Sequence, residues 1–133
     1  MKGIIMAGGE GTRLRPLTCD CPKPMIRLMD RPLMAYALGL LRRHGIRDVA
    51  VTLGYQPDAV TERFGDGGDL GLNLRYYIED VPLGTAGGVK QAQAFLDETF
   101  VALSGDGVTD LDLTAALRFQ APPALPSRIF PKR

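Results

Sequence analysis

The sequence has no apolar run long enough to span a bilayer and no marked excess of charge of either sign. Its 133 residues carry a net charge of +1, so the charge balance points neither to nucleic acid nor to a membrane surface as a partner. The N-terminus lacks the charged region, apolar region and cleavage site of a secretion signal, so we expect a cytoplasmic protein. A hydrophobic fraction of 45% is enough for a core, and the length suggests one domain.

Thiol and imidazole groups are scarce as well. Cys19 and Cys21 are the two cysteines, and His44 is the single histidine. Two cysteines cannot build a disulfide framework, and no second ligand pair accompanies them to indicate zinc, so we expect reduced thiols. His44 falls in the last turn of a predicted helix with no second histidine or base nearby in sequence, so we assign it a structural role.

The most informative stretch begins at the first strand. The apolar run Ile4–Met6 predicts a buried strand, and a loop with Gly8, Gly9 and Gly11 follows it. Glycine lets the backbone approach a ligand closely, and successive backbone N–H groups can cradle phosphate oxygens. The loop does not have the P-loop spacing. It also lacks the G-x-G-x-x-G pattern of dinucleotide-binding folds, because Leu14 stands where the last glycine is required.

Three cations follow the glycines within a short distance. Arg13 and Arg15 offer guanidinium groups that match phosphate geometry, and Lys23 stands between Pro22 and Pro24, which restrict its backbone. Glycines alone would favour an ordinary turn with solvated arginines. Glycines combined with these cations favour a polyphosphate site.

Strands and helices alternate along the rest of the chain. This alternation predicts an α/β fold, a Rossmann-like open and mostly parallel sheet with helices on both faces. Asp30 is expected to cap the first helix, with Pro32 in its first turn and Gly45 after its end, and Asp112 to cap the last. We predict strands at 4–6, 49–53, 73–78 and 99–103, helices at 33–44, 57–64, 86–96 and 113–119, and a surface turn at 65–71.

The N-terminal stretch resembles the sugar-1-phosphate nucleotidyltransferases, whose signature is G-G-x-G-T-R-L-x-P-L-T followed by P-K-P. Each fixed position has its match here, at Gly8, Gly9, Gly11, Thr12, Arg13, Leu14, Pro16, Leu17, Thr18, Pro22, Lys23 and Pro24. Two later motifs also match the family, I-E-D-V-P-L-G-T-A-G-G-V at 78–89 and S-G-D-G at 104–107. The resemblance implies nucleotide-binding roles for Ala7, Gly8, Gly9, Gly11, Thr12, Glu79, Gly84 and Thr85.

The resemblance also implies a reaction, in which a sugar-1-phosphate oxygen attacks the α-phosphorus of a nucleoside triphosphate and displaces pyrophosphate. The nucleophile is already anionic, so the protein has to align two anions and offset their charge. Arg13 would hold the pyrophosphate, and Lys23 would stabilise charge at the α-phosphate. Asp106 would bind the Mg²⁺ cofactor at the end of a strand, where α/β folds place their ligands.

Glu79 is the residue expected to read the base. A carboxylate only accepts hydrogen bonds, and guanine offers two adjacent N–H donors, whereas uracil and thymine offer one between two carbonyls. This favours GTP and, with the motifs P-L-T-C-D and R-H-G-I, a mannose-1-phosphate guanylyltransferase-like protein. A thymidylyl- or uridylyltransferase acting on glucose-1-phosphate, and a nucleotide-binding or regulatory fragment without turnover, are the alternatives.

Compared with the family, the chain corresponds to the N-terminal, nucleotide-binding part. We therefore expect an incomplete nucleotidyltransferase domain at 1–119, and a proline-rich, disordered tail at 120–133 from a frameshift or early stop. We identify no candidate residues in this sequence for binding the sugar phosphate. A homo-oligomer or a partner chain could complete the site.

Overall fold

The computed structural model describes residues 1–8, 23–54, 57–79, 84–97, 99–105 and 112–119. Short 3-10 helices occupy Lys23–Met25 and Gly68–Leu70. No helix within these ranges combines the length and hydropathy that a bilayer crossing needs. The other elements are β1 (Lys2–Ala7), β2 (Arg27–Leu28), β3 (Arg31–Pro32), α1 (Leu33–Arg43), β4 (Asp48–Leu53), α2 (Pro57–Phe64), β5 (Asn73–Ile78), α3 (Gly84–Gln91), β6 (Phe100–Ser104) and α4 (Leu113–Phe119).

Four parallel strands form the main sheet, in the order β5–β4–β1–β6. Ala7 of β1 pairs in register with Leu53 of β4, which pairs with Ile78 of β5, so these three strands end on one row. On the other side of β1, Met6 pairs with Ser104. The predicted parallel α/β fold is confirmed, and the four predicted strands are all present.

Side chains alternate between the two faces of this sheet, as the pleat requires. Ile5 and Val51 belong to a core on the face that α1 and α2 cover. Ile4 and Ala50 belong to a second core, which includes Val89 of α3 and the turn after it. Helices therefore pack on both faces, and α3 covers the face opposite α1.

Gly45 caps the C-terminus of α1, as its position in the sequence predicted. Gly45 has φ +78°, and its N–H donates to the carbonyl oxygen of Arg42 at 3.0 Å. The N–H of Ile46 donates to the carbonyl oxygen of Leu41, also at 3.0 Å, which completes a Schellman motif. A Cβ on Gly3 would stand 3.1 Å from Leu41 and 3.3 Å from Ile46, so the motif packs this helix end tightly on β1.

The start of α1 differs from the prediction. Asp30 is not the N-cap: Pro32 occupies that position and makes no side-chain capping hydrogen bond. Asp30 (φ +64°) and Met29 (φ +53°) instead form the two-residue turn between β2 and β3, an antiparallel hairpin that the sequence did not predict. A two-residue turn of this type needs positive φ at both positions. Asp30 is therefore part of the turn and not of the helix N-terminus.

Helix α3 differs from the prediction at both ends: it begins two residues earlier and ends five residues earlier than predicted. It spans Gly84–Gln91, whereas 86–96 was predicted. The residues after Gln91 form a turn in which the N–H groups of Phe95 and Leu96 both donate to the carbonyl oxygen of Ala92 at 3.0 Å. Ala92 and Leu96 are buried all the same, so helical spacing of apolar residues did not require a continuous helix here.

His44 joins the end of α1 to the start of α4. Its Nδ1 lies 2.8 Å from the Thr114 hydroxyl oxygen and accepts the Thr114 backbone N–H at 3.3 Å. The N–H of Ala115 donates to Asp112 at 3.0 Å, which is the predicted cap of this helix. The imidazole thus satisfies a first-turn N–H of α4, and this contact is the structural role expected for it.

We predict that Gly39→Ala stabilises the protein by about 0.5–1 kcal/mol, because glycine is a poor helix former and a Cβ at this position in α1 meets nothing within 4 Å. Gly45→Ala is the matched control: its Cβ also meets open space, but φ is +78°. It should destabilise by roughly 1–2 kcal/mol. Urea unfolding measures the free energy of unfolding of both variants. Changes of the same sign would contradict the different backbone conformations of the two glycines.

Tyr76 of β5 yields a prediction about alkaline pH. Its hydroxyl donates to the Gly65 carbonyl oxygen at 2.6 Å, and burial, with the charge of Asp66 as the second cause, raises the pKa of Tyr76 to about 12. Because the pKa is raised in the folded state, the stability linked to the neutral phenol is present below pH ~10 and is lost toward pH ~12. Ultraviolet titration of wild type and Tyr76→Phe should show that the variant lacks one late-ionising tyrosine; loss of a tyrosine that ionises at pH ~10 would contradict this.

Candidate functional site

The three residues that directly follow β1, β4 and β5 lie on one row beyond the sheet. They are Gly8, Gly54 and Glu79. The hydrogen bonding between β4 and β5 continues into this row, because the Glu79 N–H donates to the Leu53 carbonyl oxygen at 2.7 Å. Alternation along the strands directs this row toward the face of α3. The carboxyl edge of a parallel sheet is where open α/β folds bind ligands.

The ends of β1 and β4 approach each other closely at this edge. Thr52 is 1% exposed, and its hydroxyl oxygen accepts the Ala7 backbone N–H at 3.3 Å. A Cβ on Gly54 would stand only 2.5 Å from the carbonyl oxygen of Gly8. Because that obstacle is backbone, the approach is possible only with glycine at position 54.

The carboxylate of Glu79 reaches across the edge to β1. A Cβ on Gly8 would stand 3.0 Å from its Cδ and from each of its two oxygens. β4 separates β5 from β1, a distance of about 10 Å at the usual strand spacing. From the other direction, a Cβ on Gly88 of α3 would stand 2.8 Å from Oε1 of Glu79. The side chain therefore lies between Gly8, the first glycine of the predicted phosphate loop, and α3.

A topological switch point lies between β1 and β6. The chain moves outward from β1 to β4 and β5, and β6 then pairs on the opposite side of β1. Just beyond this point, the Gly105 N–H donates to the Met6 carbonyl oxygen at 3.0 Å, and a Cβ on Gly105 would lie 3.0 Å from the Cβ of Ala7. Ligand crevices form at such points, and Asp106 follows Gly105 directly in the chain.

The opposite edge of the sheet is occupied by structural contacts. Lys2, at the start of β1, donates to the Phe95 carbonyl oxygen at 2.8 Å and to Asp97 at 2.9 Å. The Lys2 ammonium group also lies 4.7 Å from the centre of the Phe95 ring. The hydrogen bond from Lys2 lowers the pKa of Asp97. These contacts hold the turn after α3 against the sheet at the edge away from the candidate site.

Of the predicted site residues, the structure brings Ala7, Gly8 and Glu79 together. Lys23 opens a 3-10 helix, and Gly84 and Thr85 open α3, as described by their backbones alone. Outside the described residues lie Gly9, Gly11, Thr12, Arg13 and Asp106. Their predicted roles stay predictions.

Three residues of this edge were not identified from the sequence. They are Thr52, Gly54 and Gly105, and each contacts β1 or the residue that follows it. One signal was present: Gly54 comes directly after a predicted strand, as Gly8 does. Glycine at the same position after two adjacent parallel strands indicates a close approach of their ends.

Comparisons with known proteins add to this geometry. The sequence profile of a family described as "Nucleotidyl transferase" matches residues 2–127. A UTP–glucose-1-phosphate uridylyltransferase of Synechocystis is 40% identical over 130 residues, covering 89% of this chain and 34% of the relative. A mannose-1-phosphate guanylyltransferase of Mycobacterium tuberculosis is 38% identical over 117 residues, covering 87% and 33%.

A solved structure is similar as well. A Bacillus anthracis protein described as a glucose-1-phosphate thymidylyltransferase superposes with a TM-score of 0.85 at 27% identity, over 90% of this chain and 50% of its own. The chain thus spans about a third of these two curated relatives and half of that structure. The three similar proteins are named for three different nucleotides.

We predict that Gly54→Ala destabilises the protein by about 1–3 kcal/mol, the usual range for overpacking, because the Gly8 carbonyl must move. The same shift should weaken nucleotide binding. Gly39→Ala, with open space around its Cβ, is the control. Urea unfolding and calorimetric titration with GTP measure the two effects, and a Gly54→Ala protein as stable as wild type would disprove the close approach.

Proposed function

The chain belongs to the nucleotidyl transferase family, and we propose that it binds a nucleoside triphosphate at the carboxyl edge of its sheet for transfer to a sugar-1-phosphate. The family resemblance predicted from the motifs is confirmed. One observation carries the proposal: the Glu79 carboxylate lies against Gly8, the first glycine of the predicted phosphate loop. A group suited to reading a base thus lies beside Gly8, the residue at which the predicted phosphate loop begins.

GTP is the nucleotide we favour. Guanine presents two adjacent N–H donors on one edge, and a carboxylate can accept both, whereas an amide would suit uracil or thymine better. Hydrogen bonds to a charged group are the stronger ones, so the match contributes selectivity as well as affinity. With GTP, mannose-1-phosphate is the favoured second substrate, on the motifs described above.

The proposed reaction forms a bond between a sugar-1-phosphate oxygen and the α-phosphorus of the nucleotide. The bond from that phosphorus to the pyrophosphate oxygen breaks, and pyrophosphate leaves with the electron pair. Arg13 would hold the leaving pyrophosphate, and Lys23 would offset charge at the α-phosphate. No general base is needed, because the attacking phosphate is already ionised.

Mg²⁺ is the proposed cofactor. Within the described ranges, no three His, Cys, Asp or Glu side chains converge on a metal site. Mg²⁺ is commonly bound by one or two carboxylates together with substrate phosphates. Asp106, directly after Gly105 at the switch point, would supply the carboxylate. When bound, the ion would neutralise phosphate charge.

Turnover needs a sugar-phosphate site in addition to the nucleotide site. Because the chain spans only a third to a half of the similar proteins reported above, we propose that further residues complete this site, from a longer chain, a second copy or a partner chain. Without such residues, we expect these 133 residues to bind a nucleotide without turnover. We also propose a cytoplasmic location, as expected from the sequence.

One observation favours a second candidate, a uridylyltransferase acting on glucose-1-phosphate. The Synechocystis relative named for that activity is 40% identical to this chain. A preference of this chain for UTP would then require the Glu79 carboxylate to face away from the base. The two candidates predict opposite orders of GTP and UTP affinity.

We expect a thermal-shift panel of GTP, UTP, dTTP, CTP and ATP to give the largest, Mg²⁺-dependent shift with GTP, since a ligand that binds the folded state raises its stability. Glu79→Gln should lower the ratio of GTP to UTP affinity about tenfold, the loss expected for one charge-assisted hydrogen bond. Glu62→Gln, the same change at an exposed position of α2, should leave the ratio unaltered.

Two results would decide against the proposal. A larger shift with UTP than with GTP would favour the uridylyltransferase. A cooperative melt that no nucleotide shifts would remove nucleotide binding as the function of this chain.

A further inference from the structure

Nothing within α3 itself explains why position 88 is a glycine. It lies inside α3, is buried, and glycine is among the poorest helix formers. Its surroundings explain it: a Cβ there would stand 2.8 Å from Oε1 of Glu79 and 3.4 Å from Cγ2 of Thr52. Alanine at this position would occupy the space that the carboxylate now uses.

Gly8, which directly follows β1, borders the same carboxylate. A Cβ on Gly8 would touch Cδ and both oxygens of Glu79 at 3.0 Å. The carboxylate therefore lies in a slot, which we define as the space between the Cα atoms of Gly8 and Gly88, with Thr52 beside it. Two elements from different parts of the chain each omit a side chain at the point where this group lies.

We propose that this slot fixes the Glu79 carboxylate in the orientation that reads the base, which makes Gly88 a specificity-determining positioning residue. The inference rests on the proposed nucleotide-binding function. Gly88 itself needs no contact with the nucleotide, because it acts through Glu79. Base selectivity would then depend on an empty Cβ position in α3 as much as on the carboxylate.

The helix cannot easily move away to accommodate a larger residue. Gln91 in its last turn donates from Nε2 to the Ile78 carbonyl oxygen at 3.1 Å, one residue before Glu79. Val89 packs against the core of Ile4 and Ala50 on the sheet. The carboxylate is the flexible end of its side chain and would yield first. Gly88→Ala should therefore displace the carboxylate and leave the fold intact.

The experiment compares Gly88→Ala with Gly39→Ala, a helix glycine whose Cβ meets open space. Both variants should melt cooperatively. The side-chain carboxyl ¹³C resonance of Glu79, assigned by its absence in Glu79→Gln, should shift in Gly88→Ala and stay in place in Gly39→Ala. This readout needs no nucleotide, so it tests the slot even if the proposed function fails.

A double-mutant cycle tests the link to selectivity. Gly88→Ala should lower the ratio of GTP to UTP affinity about tenfold in the wild-type background. In the Glu79→Gln background it should change the ratio less than twofold, because the group through which it acts has been replaced. A merely structural role would change the affinity for both nucleotides alike.

The outcomes separate the two proposals. An unmoved carboxyl resonance, a lost cooperative melt in Gly88→Ala, or an equal effect of Gly88→Ala with and without the Glu79 carboxylate would overturn the positioning role. Wild-type protein that binds no nucleotide would overturn the proposed function and the selectivity role together, while a shifted resonance would still establish the slot.

Discussion

Strand β1 is paired in parallel on both sides, with β4 and with β6, and this pairing fixes where the neighbouring strands end. Its register with β4, and that of β4 with β5, end the three strands on one row. The residues after them, Gly8, Gly54 and Glu79, must then be neighbours, although up to 71 positions separate them in sequence. A one-residue slip of any strand would turn its last side chain to the other face and dismantle the edge.

Close backbone approach, made possible by glycine, is the second feature of this edge. Gly54 lets the end of β4 meet the carbonyl of Gly8, and Gly105 lets the chain after β6 meet Ala7. Gly8 and Gly88 leave room for a carboxylate rather than for backbone. The opposite edge has instead an ion pair between Lys2 and Asp97. The close backbone approaches and the room for the Glu79 carboxylate thus lie at the same edge of the sheet.

Much of this could be predicted from local pattern, and the remainder depends on tertiary contacts. The strand 73–78 and the helices 57–64 and 113–119 were predicted to the residue, since period and capping residues are local signals. The hairpin at Met29 and Asp30 was missed because this pair is not one of the usual ones, such as Asn-Gly or Asp-Gly. Nothing in the local sequence indicated that Gly88 makes room for Glu79, because that contact joins a helix to a strand end.

The most direct test of this account is a backbone amide NMR titration of the whole chain with GTP and Mg²⁺. We predict that the signals of Gly8, Gly54, Glu79 and Gly88 move together and saturate with one affinity. Signals at the amino ends of the strands, such as Lys2, Asp48 and Asn73, should stay in place. Movement at that opposite edge, or saturation without any change at Gly8 and Glu79, would contradict a nucleotide site at the carboxyl edge.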